Sequence, residues 1–501
     1  MLTALLQEAT KRYPGKVAIA RGEQSWTYAE FDRLTNNFAR GLFAAGIEPR
    51  DRVALHLYNG PEFAFALVGC LKAGCIAVPV NPRLKGPEID YVLRHSGSAC
   101  YIGQRDLYEE SQSSCPAIQS LEVCYLIDAR ANDRFIAFDD LLHFADPCSA
   151  LADVGGDQTA AIFYTSGTTA RPKGVMHSHA SLASMATAMR EMNLDEQQVV
   201  LIMSSMAHLL GLGMLFLSGL LNGATIVIGR PMDFKQLLEA SARWRCTYTI
   251  GFPVLMDGLL QAQIASPHDL SAMRFYFCGG DSLSPALQGS FETELGPICE
   301  LYGATEIAPI TCNPPGRTRS GSIGIGCEKV ECRLVDLHGN DTVPGETGEI
   351  CVRGPNLMLG YWRDSDATDE AVRAGWFHTG DLARCGSDGY YYFAGRKKEI
   401  IIRGGSNISP QEVESALYEH SAVSEAGVIG CADTVWGEAV IAFVALRPGR
   451  SVTEAALISF LRKRLADYKT PERIYFLPQL PKGPTGKIHR RALREATPAF
   501  Q

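Results

Sequence analysis

The sequence predicts an α/β protein. A large N-terminal domain of layered α/β sheets carries a small β-barrel-like subdomain, and a small α+β C-terminal domain follows. Three observations point there. The 501 residues are too many for one hydrophobic core. Strand–helix–strand patterns recur through the first 280 residues. The texture then changes twice, near residue 321 and near residue 395. The expected boundaries are 1–397 for the large domain, about 321–395 for its β-rich part, and 398–501 for the small domain.

The elements follow in order. The N-terminus, MLTALLQEATKRYPGK, lacks a basic segment leading into a long apolar one and does not read as a signal peptide. Over 53–80 the chain reads strand (VALHLYNG), helix (PEFAFALVGCLKAG) and strand (CIAVPV), the helix apolar at a 3.6 period and closed by Gly74. The same alternation returns at 199–228 and 246–277. The longest apolar stretch, 209–221, is interrupted by Gly211, Gly213, Ser218 and Gly219 and is too short for a bilayer. Beyond residue 321, CRLVDLHGND, GEICVRGP and GYYYFAG are short strands separated by turn signals such as Gly339-Asn340 and Asp388-Gly389. GRKKEIIIRGG leads into the last block, with helices expected at 410–418 and 453–465 and strands at 426–430 and 440–446.

Bulk composition narrows the function. Apolar content of 46% and charged content of 20% are ordinary for a globular protein. A net charge of −8 argues against a nucleic-acid surface. Fifteen cysteines form no CxxC pair and lie in apolar contexts such as Cys70, Cys75, Cys278 and Cys351. Buried free thiols in a reducing, cytoplasmic setting account for them, and no zinc-ligand spacing is present.

The most informative segment is YTSGTTARPKG, 164–174, directly after the apolar run 160–163. Its hydroxyls (Ser166, Thr168, Thr169), glycines (Gly167, Gly174) and Lys173 suit a backbone wrapped around a polyphosphate rather than a strand or helix. It is not a Walker A loop, which ends GK[ST], because Lys173 stands between Pro172 and Gly174. A polar surface turn is the competing reading.

Three further motifs bear on that choice: YGATE at 302–306, WFHTGD at 376–381 and PTGKI at 484–488. With the hydroxyl-rich loop, GRKKEII, Trp26-Thr27-Tyr28 and Asn81-Pro82-Arg83, they resemble the acyl-adenylate-forming superfamily, in its acyl-CoA synthetase and aryl-CoA ligase branch. The motifs occur in the family's order and cover nearly the whole chain.

The resemblance implies ATP-dependent activation of a carboxylic acid to an acyl-AMP with release of pyrophosphate, then transfer to a thiol. Attack of a carboxylate on the α-phosphate joins two anions, so charge must be neutralised and the groups aligned. By resemblance, Thr165, Ser166, Gly167, Thr168, Thr169 and Lys173 hold the β- and γ-phosphates, and Gly279, Gly280 and Gly303 line the nucleotide site. Thr305 meets the α-phosphate, Glu306 holds Mg²⁺, and Tyr302 offers adenine an aromatic face. Asp381 accepts from the ribose hydroxyls, with Arg396 as a second ribose contact. Lys487 reaches in from the last domain to bridge carboxylate and phosphate. His208, Gly213, Phe252 and Ala304 mark the acyl pocket. His208 is placed at the pocket mouth rather than as a base, since the substrate carboxylate is already ionised.

For the second step the family's C-terminal domain rotates about a hinge that matches Lys398. Gly404 and Gly405 would then line a pantetheine channel, and Arg83 and Trp436 match CoA-nucleotide contacts. Trp436 as a core residue is the alternative. Arg462, Lys463, Arg464 and Lys469 are offered to CoA phosphates or to solvent. No carrier-protein domain follows the Lys487 motif, so CoA is expected as the co-substrate beside ATP and Mg²⁺. Delivery to an external carrier protein or an amine is the alternative, and a homodimer is left open.

No Asp, Glu, Lys or Arg occurs from 203 to 229. An α-ammonium there would be unpaired at a cost of several kcal/mol, so the acid is expected to be fatty or aromatic without an α-amine, with Phe252, Tyr276 and Met214 as candidate walls. Two departures from the family stand out: Ala170 where glycine is usual, and Asp281 after Gly280.

Overall fold

The computed structural model describes residues 2–129, 135–144, 151–165, 172–281, 283–336, 338–403, 406–433, 435–483 and 488–496. Two mainly parallel sheets form its centre. The first has nine strands, in the order Ile325–Gly326, Ile307–Cys312, Ile298–Ala304, Phe275–Gly279, Tyr248–Gly251, Val199–Ile202, Thr225–Ile228, Val17–Arg21 and Gln24–Thr27. Its six inner strands, from Ile298–Ala304 to Val17–Arg21, run parallel. The second has eight, in the order Gly360–Tyr361, Lys173–Ser178, Thr159–Thr165, Ile76–Pro79, Arg52–His56, Cys100–Gln104, Val123–Ile127 and Ile136–Ala137.

The strand–helix–strand units read from the sequence appear as expected. Arg52–His56, the helix Pro61–Lys72 and Ile76–Pro79 make one unit with parallel strands. Tyr248–Gly251, the helix Pro253–Ala265 and Phe275–Gly279 make another. The largest apolar core joins residues of both sheets, among them Leu55, Phe163, Ile250 and Phe277, to the helices Tyr28–Ala44, Pro61–Lys72 and His179–Glu191.

Two local features differ from the sequence reading. The stretch 164–174 is not loop throughout. Tyr164 and Thr165 end one strand, Lys173 and Gly174 begin the next, and Thr165 sits opposite Lys173 in register. Residues with β-branched or aromatic side chains at the first strand's end win over the polar composition. The apolar run near 210 is a π-helix, Leu210–Leu217, buried throughout. It is apolar on every face, so no period could announce its winding.

A five-stranded antiparallel sheet holds Glu331–Val335, Thr347–Arg353, Trp376–Cys385, Val372–Arg373 and Tyr391–Arg396. The span 321–395 also reaches outside it, because Ile325–Gly326 pairs with the nine-stranded sheet and Gly360–Tyr361 with the eight-stranded one. The C-terminal region has its own sheet, built on the hairpin Val423–Asp433 and Gly437–Leu446, with helices Pro410–Tyr418 and Glu454–Arg462. None of the described helices is long and apolar enough to cross a membrane.

Trp26-Thr27-Tyr28 has a structural job. Thr27 caps the helix Tyr28–Ala44 in a capping box with Glu30, and the Tyr28 hydroxyl donates to the carbonyls of Leu220 at 3.1 Å and Ala224 at 2.7 Å. The same helix buries Lys72, whose ammonium donates to Asp32 Oδ1 (2.7 Å), Thr35 Oγ1 (2.8 Å) and Asn36 Oδ1 (2.7 Å). Every proton of that ammonium has an acceptor, which offsets its desolvation. Lys72→Ala leaves those acceptors without their donor and is expected to lower unfolding stability by about 2 kcal/mol. Urea denaturation checks this, and an unchanged midpoint would contradict it.

Candidate active site

The parallel sheet delivers its loops to one edge, where ligands of such folds bind. Strand Ile298–Ala304 ends there and turns back into Ile307–Cys312, so residues 302–306 project from the sheet end. The Tyr302 hydroxyl donates to Asp381 Oδ2 at 2.7 Å, and Arg396 Nε lies 3.3 Å from Asp381 Oδ1. Asp381 and Arg396 are register partners on neighbouring strands, Trp376–Cys385 and Tyr391–Arg396. Gly380, with φ of +72°, supplies the left-handed backbone that turns Asp381 toward Tyr302. Burial, then the Asp381 charge, pushes the Tyr302 phenol well above its ordinary range, so it stays a donor. Three predicted nucleotide residues are thus one hydrogen-bonded cluster.

A second cluster surrounds Glu306. The Tyr361 hydroxyl donates to Glu306 Oε1 at 2.8 Å, and the Lys173 ammonium lies 4.7 Å from the centre of the Tyr361 ring. The Glu306 carbonyl accepts from Met358 N–H at 2.7 Å, and the Trp362 N–H donates to the Gly174 carbonyl at 2.7 Å. The segment through Tyr361 therefore ties Glu306 to the start of the phosphate hairpin. Burial raises the Glu306 carboxyl above the ordinary range, against the Tyr361 hydrogen bond. A buried carboxylate of this kind is completed by a hard cation such as Mg²⁺, which takes oxygen ligands. A cleft of about 590 Å³ opens beside Lys173, lined by Tyr91, His95, Trp362 and Glu370.

Thr305 is held from beneath. His177 Nε2 lies 2.7 Å from the Thr305 carbonyl and Nδ1 lies 3.1 Å from Ser181 Oγ. Burial lowers the His177 pKa to about 4, so the ring is neutral and donates through Nε2.

At the acyl side, Asn81 organises His208. The Asn81 side-chain oxygen accepts from Arg83 N–H at 3.0 Å, which turns its amide nitrogen to His208 Nε2 at 3.2 Å. Nε2 is then the acceptor and the ring proton sits on Nδ1. Burial and then the Arg83 charge lower the His208 pKa to about 4. Phe252 borders Gly280: a Cβ on Gly280, whose φ is +80°, would lie 2.5 Å from Phe252 Cε1. Gly213 has a packing role, since a Cβ there would lie 2.9 Å from both Met185 Sδ and Leu209 Cδ1. Tyr276, an expected pocket wall, is instead buried edge-on against Phe291 with ring centres 5.0 Å apart. Its strand alternates, and Tyr276 falls on the face covered by the helices Pro253–Ala265 and Pro285–Glu294. Gly279 and Gly303 lie at the ends of their strands, and Ala304 is half-buried beside them.

Ser166, Gly167, Thr168, Thr169, Ala170, Gly404, Gly405 and Lys487 lie outside the described residues. Lys398 lies in the 3₁₀ turn Lys397–Glu399. Trp436 is 53% exposed, not a core residue, and the Arg403 guanidinium stands 5.9 Å from its ring centre. Arg83 is exposed as well. Arg464 and Lys469 pair with Glu419 at 2.7 Å and Glu412 at 2.6 Å, which engages two of the cations offered to CoA phosphates. Sequence reasoning passed over Tyr361 and His177, and gave Asn81 no role. Only GVMHSH next to the phosphate hairpin hinted at His177.

Residues 6–362 match the AMP-binding enzyme family and residues 412–487 its C-terminal domain. The chain belongs to the AMP-binding enzymes. It is 34% identical over 485 residues to a feruloyl-CoA synthase of an Amycolatopsis species, covering 96% of each chain. It is 32% identical to the indoleacetate–CoA ligase of Aromatoleum aromaticum, over 96% of this chain and 95% of that one. An anthranilate CoA ligase solved with anthranoyl-AMP superposes with a TM-score of 0.92 at 28% identity, over 99% of this chain and 96% of that chain.

The neutral His177 and His208 contribute, with the buried His56 and His179, to a pH dependence. Their folded pKa of about 4 lies below the ordinary value of 6.5. Between those limits the unfolded chain binds more protons, so stability is full above pH 6.5 and falls as the pH drops toward 4. His177→Gln should flatten that fall. Urea midpoints at pH 7.5 and pH 5 test it, and a midpoint rising on acidification would contradict it.

Proposed function

We propose that this chain is an AMP-forming acid–CoA ligase acting on an aromatic or fatty acid that lacks an α-amine. The observation that carries the reading is the joined cluster of Tyr302, Asp381 and Arg396 beside Glu306 and Lys173. Both full-length relatives named above are CoA ligases of aromatic acids, which favours the aromatic class.

The mechanism assigns work to each group. The Asp381 carboxylate, held by Tyr302 and Arg396, accepts the ribose hydroxyls. Thr305, fixed through its carbonyl by His177, presents its hydroxyl toward the α-phosphate. Lys173 and the segment 165–173 balance the outer phosphates. Glu306 would hold Mg²⁺, which would supply charge neutralisation to the phosphates. Lys487 bridges the substrate carboxylate and the α-phosphate as the two anions meet. The π-helix wall carries no charge from 203 to 229, which disfavours an ammonium in the acid. His208, neutral with its proton on Nδ1, orients the carboxylate at the pocket mouth rather than removing a proton. The small domain then turns about Lys398 and brings Gly404, Gly405 and Trp436 to the CoA arm. Solvent exposure of Trp436 and Arg83 suits that role.

Lys487→Ala is expected to lower ATP–pyrophosphate exchange by at least about 10²-fold while sparing thioester formation from a supplied acyl-AMP. Equal loss of both half-reactions would defeat the two-state account. A screen of exchange over benzoic, cinnamic, indolic, fatty and amino acids should show turnover with the aromatic set. Turnover confined to amino acids would overturn the substrate class.

A further inference from the structure

Glu349, in the β-rich sheet, has no role assigned above, yet its carboxylate meets three partners. Its side chain is 9% exposed. Oε2 lies 2.9 Å from the Lys397 ammonium and 3.4 Å from His378 Nδ1, and Oε1 accepts from the Gly380 N–H at 3.2 Å. Burial alone would raise this carboxyl, but Lys397 and His378 outweigh it and hold it below the ordinary range. Glu349 therefore touches the residue before Asp381 and the residue after Arg396. Those two flank the ribose-binding pair.

Lys397 also precedes Lys398. On the other side of Lys398, Glu399 Oε2 lies 3.0 Å from Arg490 Nη1, and Arg490 Nη2 bonds both oxygens of Glu414 at 2.8 Å. Residue 398 thus stands between two anchored neighbours, one tied to the β-rich sheet and one to the C-terminal region.

Glu349, Cys351 and His378 also place their donor atoms within 4.8 Å of one another, a set that zinc could use. The Lys397 ammonium already fills the cation's place on Oε2, and the Gly380 N–H uses Oε1. The charge is balanced without a metal, so the arrangement is read as an ion-pair network.

We propose that Glu349 is a positioning residue that links nucleotide binding to the hinge: one carboxylate holds Gly380 and Lys397, which fixes Asp381 and Arg396 for the ribose and stops any pivot short of Lys398. The idea rests on the adenylating function proposed above.

The test is Glu349→Gln in the full chain, with AMP affinity read by calorimetry and the hinge by limited trypsin digestion. Gln keeps an acceptor for Gly380 but loses the charge that holds Lys397. The AMP Kd and the KM for ATP are expected to rise about tenfold, with the KM for the acid unchanged. Cleavage after Lys397 or Lys398 should speed up while the thermal midpoint holds. Should Glu349→Gln fail to fold, Lys397→Met carries the same AMP measurement, since that side chain is half-exposed. Wild-type AMP affinity and trypsin rate retained in a folded variant would overturn the inference. Failure of the wild type to bind AMP would instead overturn the functional reading, so the two failures are distinct.

Discussion

The hydrogen bond from Tyr302 to Asp381 joins two sheets built on different rules. Tyr302 ends a strand of the parallel sheet, and Asp381 lies on the antiparallel one. Parallel strands bring loops from distant sequence to one edge. Antiparallel strands set side chains opposite each other in register, as Asp381 and Arg396 are. The bond lets the first sheet supply an aromatic ring and the second a carboxylate at one place. Because the Tyr302 phenol stays protonated, the link is a donor–acceptor pair rather than a clash of anions.

The charge balance of the site follows from that junction. Glu306 and Asp381 are both carboxylates, and each acts to raise or hold the titration of its neighbours. Lys173 and Arg396 are the nearby cations among the described residues. Burial raises the Glu306 carboxyl, so a cation beside it would favour its ionised form. ATP adds more negative charge. A divalent cation and a lysine delivered from the C-terminal region would meet that demand.

Much of this was legible in the sequence. The strand–helix–strand units announced themselves through apolar period and Gly74, and YGATE and WFHTGD located Tyr302, Glu306 and Asp381 before any contact was known. What stayed hidden were contacts between residues far apart in the chain. Tyr361 reaches Glu306 across 55 positions and His177 reaches Thr305 across 128. A single sequence carries no trace of such pairs. Tyr276 was misplaced for a subtler reason: the strand's period of two says that neighbours face opposite sides, but not which side meets the pocket.

Of the ion pairs around residue 398, the one made by Lys397 carries little stability. Lys397 is 45% exposed, and pairs of that kind contribute about 0–1 kcal/mol. Their value is geometric. A pivot distributed over several residues would disturb Arg396, which is one position from Lys397 and pairs with Asp381. A pivot confined to one residue leaves the ribose contact intact while the C-terminal region moves. On the proposed rotation Glu399, Arg490 and Glu414 would travel together, since Arg490 pairs with both carboxylates. Such a rotation would break neither bracket, and its energy would be set by the contacts between the two regions and by the ligands that bind each arrangement.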